Sequence, residues 1–159
     1  MSECIRKIKV LFICHGNICR SPMAEYIMKK MVSDKGMGDS FEIASAATST
    51  EELGCDIYPP AKKCLREHGI PFEPRRARQM DRHDLEYYDI IVAMDERNIR
   101  NLERMFGASD KYALLLDYTD EPGDISDPWY SGRFEEVFEE IYKGCRSMLT
   151  ALSDNFHIK

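Results

Sequence analysis

The chain has 159 residues, 43% of them hydrophobic and 31% charged, with 9 Gly and 7 Pro; such ordinary values exclude a disordered chain, a collagen-like repeat and a disulfide-held miniprotein. With 22 Lys and Arg against 28 Asp and Glu the formal charge is −6, so no global basic field draws the chain to nucleic acid or an anionic membrane, and capture of an anion requires a local positive site. The apolar runs Val10 to Cys14 and Ile90 to Met94 fall short of the ~20 residues of a spanning helix and of the ~7 to 15 of a signal core, which gives the expectation of a cytoplasmic protein with neither nucleic acid nor membrane among its partners.

Ile8, Val10, Leu11, Phe12 and Ile13 form a short β-prone run whose continuous apolar tail predicts a strand buried on both faces. After CHGNICRS, Pro22 stands at a first helical position with Ser21 as the expected N-cap, and Met23, Ile27 and Met31 recur at helical spacing up to Gly36. Phe41 to Ala47 alternates as a second strand, and Pro60 to His68, closed by Gly69, has the start and stop signals of a short helix. Tyr88 to Met94 predicts a third strand, followed by Asp95 as N-cap and a charged helix to Phe106 with Gly107 beyond its end. Tyr112 to Leu116 reads as a fourth strand. After an acidic loop, Phe134, Val137, Phe138, Ile141, Cys145, Met148, Leu149 and Leu152 make the stripe of a last helix.

Four βα units predict a doubly wound α/β sandwich, a four-stranded parallel sheet with helices on both faces. No repeat or linker divides residues 1–159, so they read as one domain. Cysteines at positions 4, 14, 19, 55, 64 and 145 have no repeating spacing, and reduced thiols are expected.

In such sheets ligands bind beyond the carboxyl ends of the strands where the winding reverses, which points to the loop Cys14 to Ser21. A short loop entering a helix converges its backbone N–H groups into an anion cradle strengthened by the helix terminus. Gly16 and Asn17 tolerate the positive φ that a tight curl demands, and the planar fork of Arg20 holds two phosphate oxygens. Cys14 at the centre of that positive field is expected to ionise near neutral pH, with Ser21 donating a hydrogen bond to its sulfur. Alternatives are that Cys14 and Cys19 are buried small residues, or half of a zinc site that no second compact pair completes. Only phosphate capture accounts for the glycine, the arginine and the helix start together.

The stretch VLFICHGNICRSPMAE, with its Cys-x5-Arg-Ser pattern, and the segment Asp127-Pro128-Trp129-Tyr130 resemble the low-molecular-weight protein tyrosine phosphatases, and the likeness runs from the first strand to the last helix. The resemblance implies a phosphomonoesterase needing no metal or cofactor that acts on phosphotyrosine proteins or small aryl phosphates and releases inorganic phosphate. Cys14 would be the nucleophile that forms a phosphocysteine, Arg20 the clamp on the equatorial oxygens, and Asp127 the general acid and then base. Topology alone brings Asp127 to the edge that holds Cys14, although it is also one of five acids, with Asp117, Asp120, Glu121 and Asp124, in a turn that could simply be solvated. His15, Gly16, Asn17, Ile18, Cys19 and Ser21 would line the phosphate loop. Tyr130 would stack on the substrate ring beside Trp129, an aromatic pair that could otherwise belong to the core. Asn17, Ser45 and His68 match positions that hold the loop in shape, and Asp95 follows the third strand as in the family.

Departures carry information too. Glu51 and Glu52 occupy the region where relatives often have an aromatic wall, Tyr58 being the nearest substitute, and His15 is expected at the rim. Ile18 stands where the related protein-arginine phosphatases have threonine, which favours phosphotyrosine. Cys19 shares the loop with Cys14, so a reversible disulfide that shields the nucleophile is expected. Arsenate reductases share the fold but need further cysteines, for which only Cys55 and Cys64 are candidates; a phosphate-binding or phosphocysteine-carrier module would need no Asp127.

Overall fold

The structure, a computed structural model, describes residues 7–155; Cys4 lies outside them. Four strands, β1 (Ile8–Cys14), β2 (Phe41–Ala47), β3 (Ile90–Ala93) and β4 (Tyr112–Leu114), form one parallel sheet in the order β2-β1-β3-β4. β1 pairs with β2 from Ile8↔Phe41 to Cys14↔Ala47 and with β3 from Val10↔Ile90 to Ile13↔Ala93. It is therefore the central strand, and its alternation sends side chains to two cores. Val10, Phe12 and Cys14 join Met23, Ile27, Phe138 and Met148 on one face, while Leu11 and Ile13 join Tyr88, Ile91 and Leu102 on the other. Fully buried Phe12 and Leu11 each contribute roughly 1.5–3 kcal/mol of burial energy to their own layer. The expected α/β sandwich with both faces covered is the observed architecture.

The helices are α1 (Arg20–Asp34), α2 (Pro59–Glu67), α3 (Arg82–Tyr87), α4 (Glu96–Phe106), α5 (Pro128–Ser131) and α6 (Phe134–Asn155). α1 and α6 pack together over the first core, and α3 and α4 supply Leu85, Leu102 and Phe106 to the second. The stripe expected of the last helix is buried from Val137 to Leu152. Two short helices escape the hydrophobic pattern. α3 is set by a reciprocal cap in which Asp81 accepts the Asp84 N–H and Asp84 accepts the Asp81 N–H, and it shortens the third strand to Ile90–Ala93. α5 is a single turn capped by Asp127. The fourth strand stops at Leu114, where the chain tightens into a 3-10 turn over Leu115–Tyr118. No helix among the described residues is long and apolar enough to cross a membrane.

The order β2-β1-β3-β4 reverses direction beside β1, so the loops after β1, β3 and β4 all open on one edge of the sheet. The backbone ties them: Ile125 N–H donates to Met94 O at 2.8 Å, and Thr48 N–H to Cys14 O at 3.0 Å.

Candidate active site

Cys14 ends β1, and its sulfur is the point on which the loop closes. Asn17 N–H and Ser21 N–H reach Sγ at 3.3 and 3.4 Å, and Ser21 Oγ lies 3.0 Å away. The direction of that last bond follows from proton counting. Asn17 Nδ2 donates to both Ser21 Oγ (2.8 Å) and Ser45 Oγ (2.9 Å), and Ser45 spends its hydroxyl proton on Glu25 Oε1 at 2.6 Å. Ser21 thus keeps its own proton to donate to the Cys14 sulfur.

The curl of the loop differs in detail from the sequence reading. Asn17 takes the left-handed conformation, φ 60°, and Gly16 does not. A Cβ at Gly16 would meet Glu52 Cγ at 3.2 Å, a tight contact that the Glu52 side chain would have to relieve. Ser21 is not the N-cap either: α1 starts at Arg20 behind Cys19, which places the Ser21 hydroxyl inside the first turn and directs it at Cys14.

Asn17 is held by a residue the sequence reading missed. Arg75 donates from Nη1 to Asn17 O at 2.7 Å and from Nη2 to Asn17 Oδ1, and Arg78 N–H adds a bond to the same Oδ1 at 3.3 Å. The guanidinium fixes which end of the amide is oxygen, and so fixes the two donors aimed at Ser21 and Ser45. Burial lowers the Arg75 pKa from its ordinary value, with Glu25, Tyr26 and Cys14 pulling the other way. Glu25, buried and held by Lys29 at 2.5 Å, is the second missed member.

His68 takes no part in this network. It stacks on Phe138 with ring centroids 3.9 Å apart, and its Nε2 meets Glu135 Oε2 at 2.9 Å, because α2 directs that turn toward α6. The contact holds the Glu135 carboxyl below its ordinary pKa. Ser45 and Asp95, by contrast, stand where support was expected.

Asp95 caps α4 through Asn98 N–H and accepts from Arg20 Nη1 at 2.6 Å. The same Nη1 donates to Ile125 O at 2.8 Å, so both its protons are engaged, while the Nε–Nη2 edge of the guanidinium makes no hydrogen bond among the described residues. Burial works against the Arg20 charge, but Cys14, Asp95 and Asp127 outweigh it and raise its pKa. Asp127 enters from the β4 side: its Oδ1 accepts Trp129 N–H at 3.0 Å, and its Oδ2 lies 3.6 Å from Arg20 Nη2. It is therefore no free acid of a solvated turn.

Cys14, Arg20 and Asp127 share one cleft of about 420 Å³. Gly16, Ile18 and Cys19 line its base, His15, Glu51 and Glu52 one bank, and Trp129 and Tyr130 the other. Trp129 and Tyr130 are 48% and 80% exposed, which removes the core reading of that pair. Tyr58 is not a cleft wall: its ring packs against Trp129 at 4.7 Å and Phe134 at 5.9 Å, bracing the aromatic bank from behind. His15 sits at the rim, bonded through Nε2 to Glu51 Oε2 at 2.5 Å. Cys14 and Cys19 are both free thiols, and burial followed by the neighbouring Cys14 charge pushes the Cys19 thiol up. Neither Cys55 nor Cys64 lines the cleft. Cys64 points at Glu135 instead.

A cysteine cradled by loop amides at the end of the first strand of this sheet, facing an arginine and an aspartate, defines the fold and site of a small cysteine-dependent phosphatase. Comparison with known proteins agrees. Residues 9–157 match the family described as low molecular weight phosphotyrosine protein phosphatase. The low molecular weight protein-tyrosine-phosphatase YfkJ of Bacillus subtilis is 39% identical over 149 residues, covering 91% of this chain and 96% of the relative. The low molecular weight phosphotyrosine protein phosphatase of Rattus norvegicus is 39% identical over 147 residues, covering 88% and 92%. Among solved structures, YfkJ superimposes with a TM-score of 0.91 at 38% identity, covering 94% of this chain and 96% of its own. The drosophila arginine phosphatase superimposes with 0.82 at 30% identity, covering 91% and 97%. The chain belongs to the low molecular weight phosphotyrosine protein phosphatase family.

Proposed function

We propose that the chain hydrolyses phosphotyrosine and small aryl phosphates in two displacements at Cys14. In the first, Sγ attacks phosphorus, the S–P bond forms as the ester O–P bond breaks, and Asp127 gives its proton to the departing phenolate. In the second, the Asp127 carboxylate takes a proton from water, whose oxygen attacks phosphorus and expels the sulfur with inorganic phosphate as product. Ser21 O–H receives the charge returning to Sγ. The Nε–Nη2 edge of Arg20 and the loop amides stabilise the equatorial oxygens, and each is held in place before substrate arrives.

The observation that carries this reading is the convergence of Cys14, the Arg20 edge and Asp127 on one cleft. The test is hydrolysis of p-nitrophenyl phosphate by wild type and Cys14→Ser in the presence of a chelator. Wild type is expected to turn over with chelator present and Cys14→Ser to show no turnover. Activity in that variant, or its loss with chelator alone, refutes the mechanism.

Ile18 is buried against Cys19 and Ala77 and faces the cleft with its aliphatic side chain, which supports an aryl rather than a guanidinium leaving group. The absence of Cys55 and Cys64 from the cleft speaks against a relay to arsenate. Five free cysteines among the described residues suit a reducing, cytoplasmic setting, and residues 1–159 are read as one catalytic domain. Cys19, adjoining the nucleophile, serves as a resolving thiol. After peroxide treatment wild type is expected to regain activity with dithiol and Cys19→Ser to regain less. Equal recovery removes Cys19 from that role.

A further inference from the structure

A second groove, of about 740 Å³, adjoins the cleft and shares His15, Arg20, Asp127 and Tyr130 with it. Its far bank is the first half of α4, where Arg97 and Arg100, three residues apart, project from one face. Of the charges here Arg20 is paired, while Asp124 keeps its carboxylate on the same groove. Asp95 holds Arg20, Arg20 also binds Ile125 O, and Asp124 accepts the Glu96 N–H at 3.0 Å. Arg97 and Arg100 are exposed and form no ion pair within the described residues. Glu51 and Glu52, of the reverse sign, line the cleft but not this groove. The groove thus carries two exposed arginines without a salt bridge among the described residues, and the cleft beside it carries two carboxylates.

We propose that this charge asymmetry selects and orients the substrate: phosphotyrosine segments with Asp or Glu on the flank lying over α4 are preferred, and the same acids on the flank over Glu51 and Glu52 are disfavoured. The inference rests on the phosphotyrosine reading of the cleft and adds which segments enter it. An extended chain advances ~3.3–3.6 Å per residue, so acids placed next to the phosphotyrosine stay near the groove that adjoins the cleft. The groove is open to water, which makes the selection one of charge with charge, modest in size and weakened by salt.

The experiment uses three phosphotyrosine peptides: an all-alanine parent, one with two Asp before the phosphotyrosine, and its isomer with two Asp after it. The readout is the ratio of kcat/KM between the two acidic isomers, measured within one preparation so that any loss of folded enzyme cancels. At about 0.05 M salt one isomer is expected to exceed the other about three- to tenfold, the ratio falling toward one near about 1 M salt. Joint replacement Arg97→Glu and Arg100→Glu is expected to abolish or invert the ratio, and joint replacement Glu51→Gln and Glu52→Gln to narrow it from the other side. Equal isomers in wild type, or a ratio untouched by the arginine replacements, overturn the inference alone. If none of the three peptides is cleaved while p-nitrophenyl phosphate still is, the phosphotyrosine reading fails and takes the inference with it.

Discussion

The two ends of the cleft are built in opposite ways. At the phosphate end Asn17, Ser21, Ser45 and Arg20 are buried; the hydrogen bonds of the first three run in one connected chain from Glu25 and Arg75 to the sulfur, and Arg20 is held separately by Asp95 and Ile125 O. At the ring end Trp129 and Tyr130 stand exposed on the single turn of α5, and the facing bank closes through an exposed His15–Glu51 contact. The difference separates what every phosphate monoester presents from what varies among substrates. The shared part meets groups fixed in advance by burial; the variable part meets side chains that can be replaced at little cost to the fold.

That division can be broken at three places. The largest effect is expected at Asp127, which serves both ends: Asp127→Ala should lower kcat by ~10² to 10⁴ while inorganic phosphate still inhibits. Loss of phosphate inhibition in that variant would erase the distinction between the ends. Arg75→Met comes next, because it leaves the buried Oδ1 and carbonyl oxygen of Asn17 short of their charged donor. Stability should fall by about 1–3 kcal/mol in chemical denaturation, and kcat/KM by about 10- to 100-fold as the loop amides drift from the sulfur. Arg75→Lys should recover only part of this, since an ammonium cannot serve both oxygens as a fork does. The smallest effect belongs to Tyr130→Ala. Loss of one stacking wall, worth about 0.5–1.5 kcal/mol, should raise KM for aryl phosphates several-fold and leave the melting temperature unchanged. A drop in melting temperature there would show the ring end to be as structural as the phosphate end.

The parts of the site legible in the sequence are those in which neighbours in the chain are also neighbours in space. Cys14, Arg20 and Ser21 lie within one strand-loop-helix passage, so spacing carries their arrangement; Asp127, Trp129 and Tyr130 lie within another, where the family resemblance is needed to choose a site over a solvated turn and a core pair. Arg75 is different. It stands in a stretch without regular structure, among Arg76 and Arg78, and nothing in an arginine-rich run tells which member bonds a residue 58 positions earlier. Glu25 reads as a surface partner of Lys29 one turn on, and only the packing of α1 on β2 turns it toward Ser45. His68 fails for the converse reason: the family resemblance gives it a loop-holding role, but the rotation of α2 sets its ring on Phe138. In the fold, α3 and α5 were invisible because six- and four-residue helices set by capping carboxylates carry too few turns to show a period.

Because β1 is bonded on both sides and contributes to both cores, its amides belong to the portion of the molecule that opens only when the whole chain does. The reactive sulfur is mounted at the tip of that strand. Heat should therefore find no intermediate stage in which the layers persist and the enzyme is dead: inactivation and the collapse of the sheet should follow one curve, with amide exchange in Val10 to Ile13 among the last to be lost.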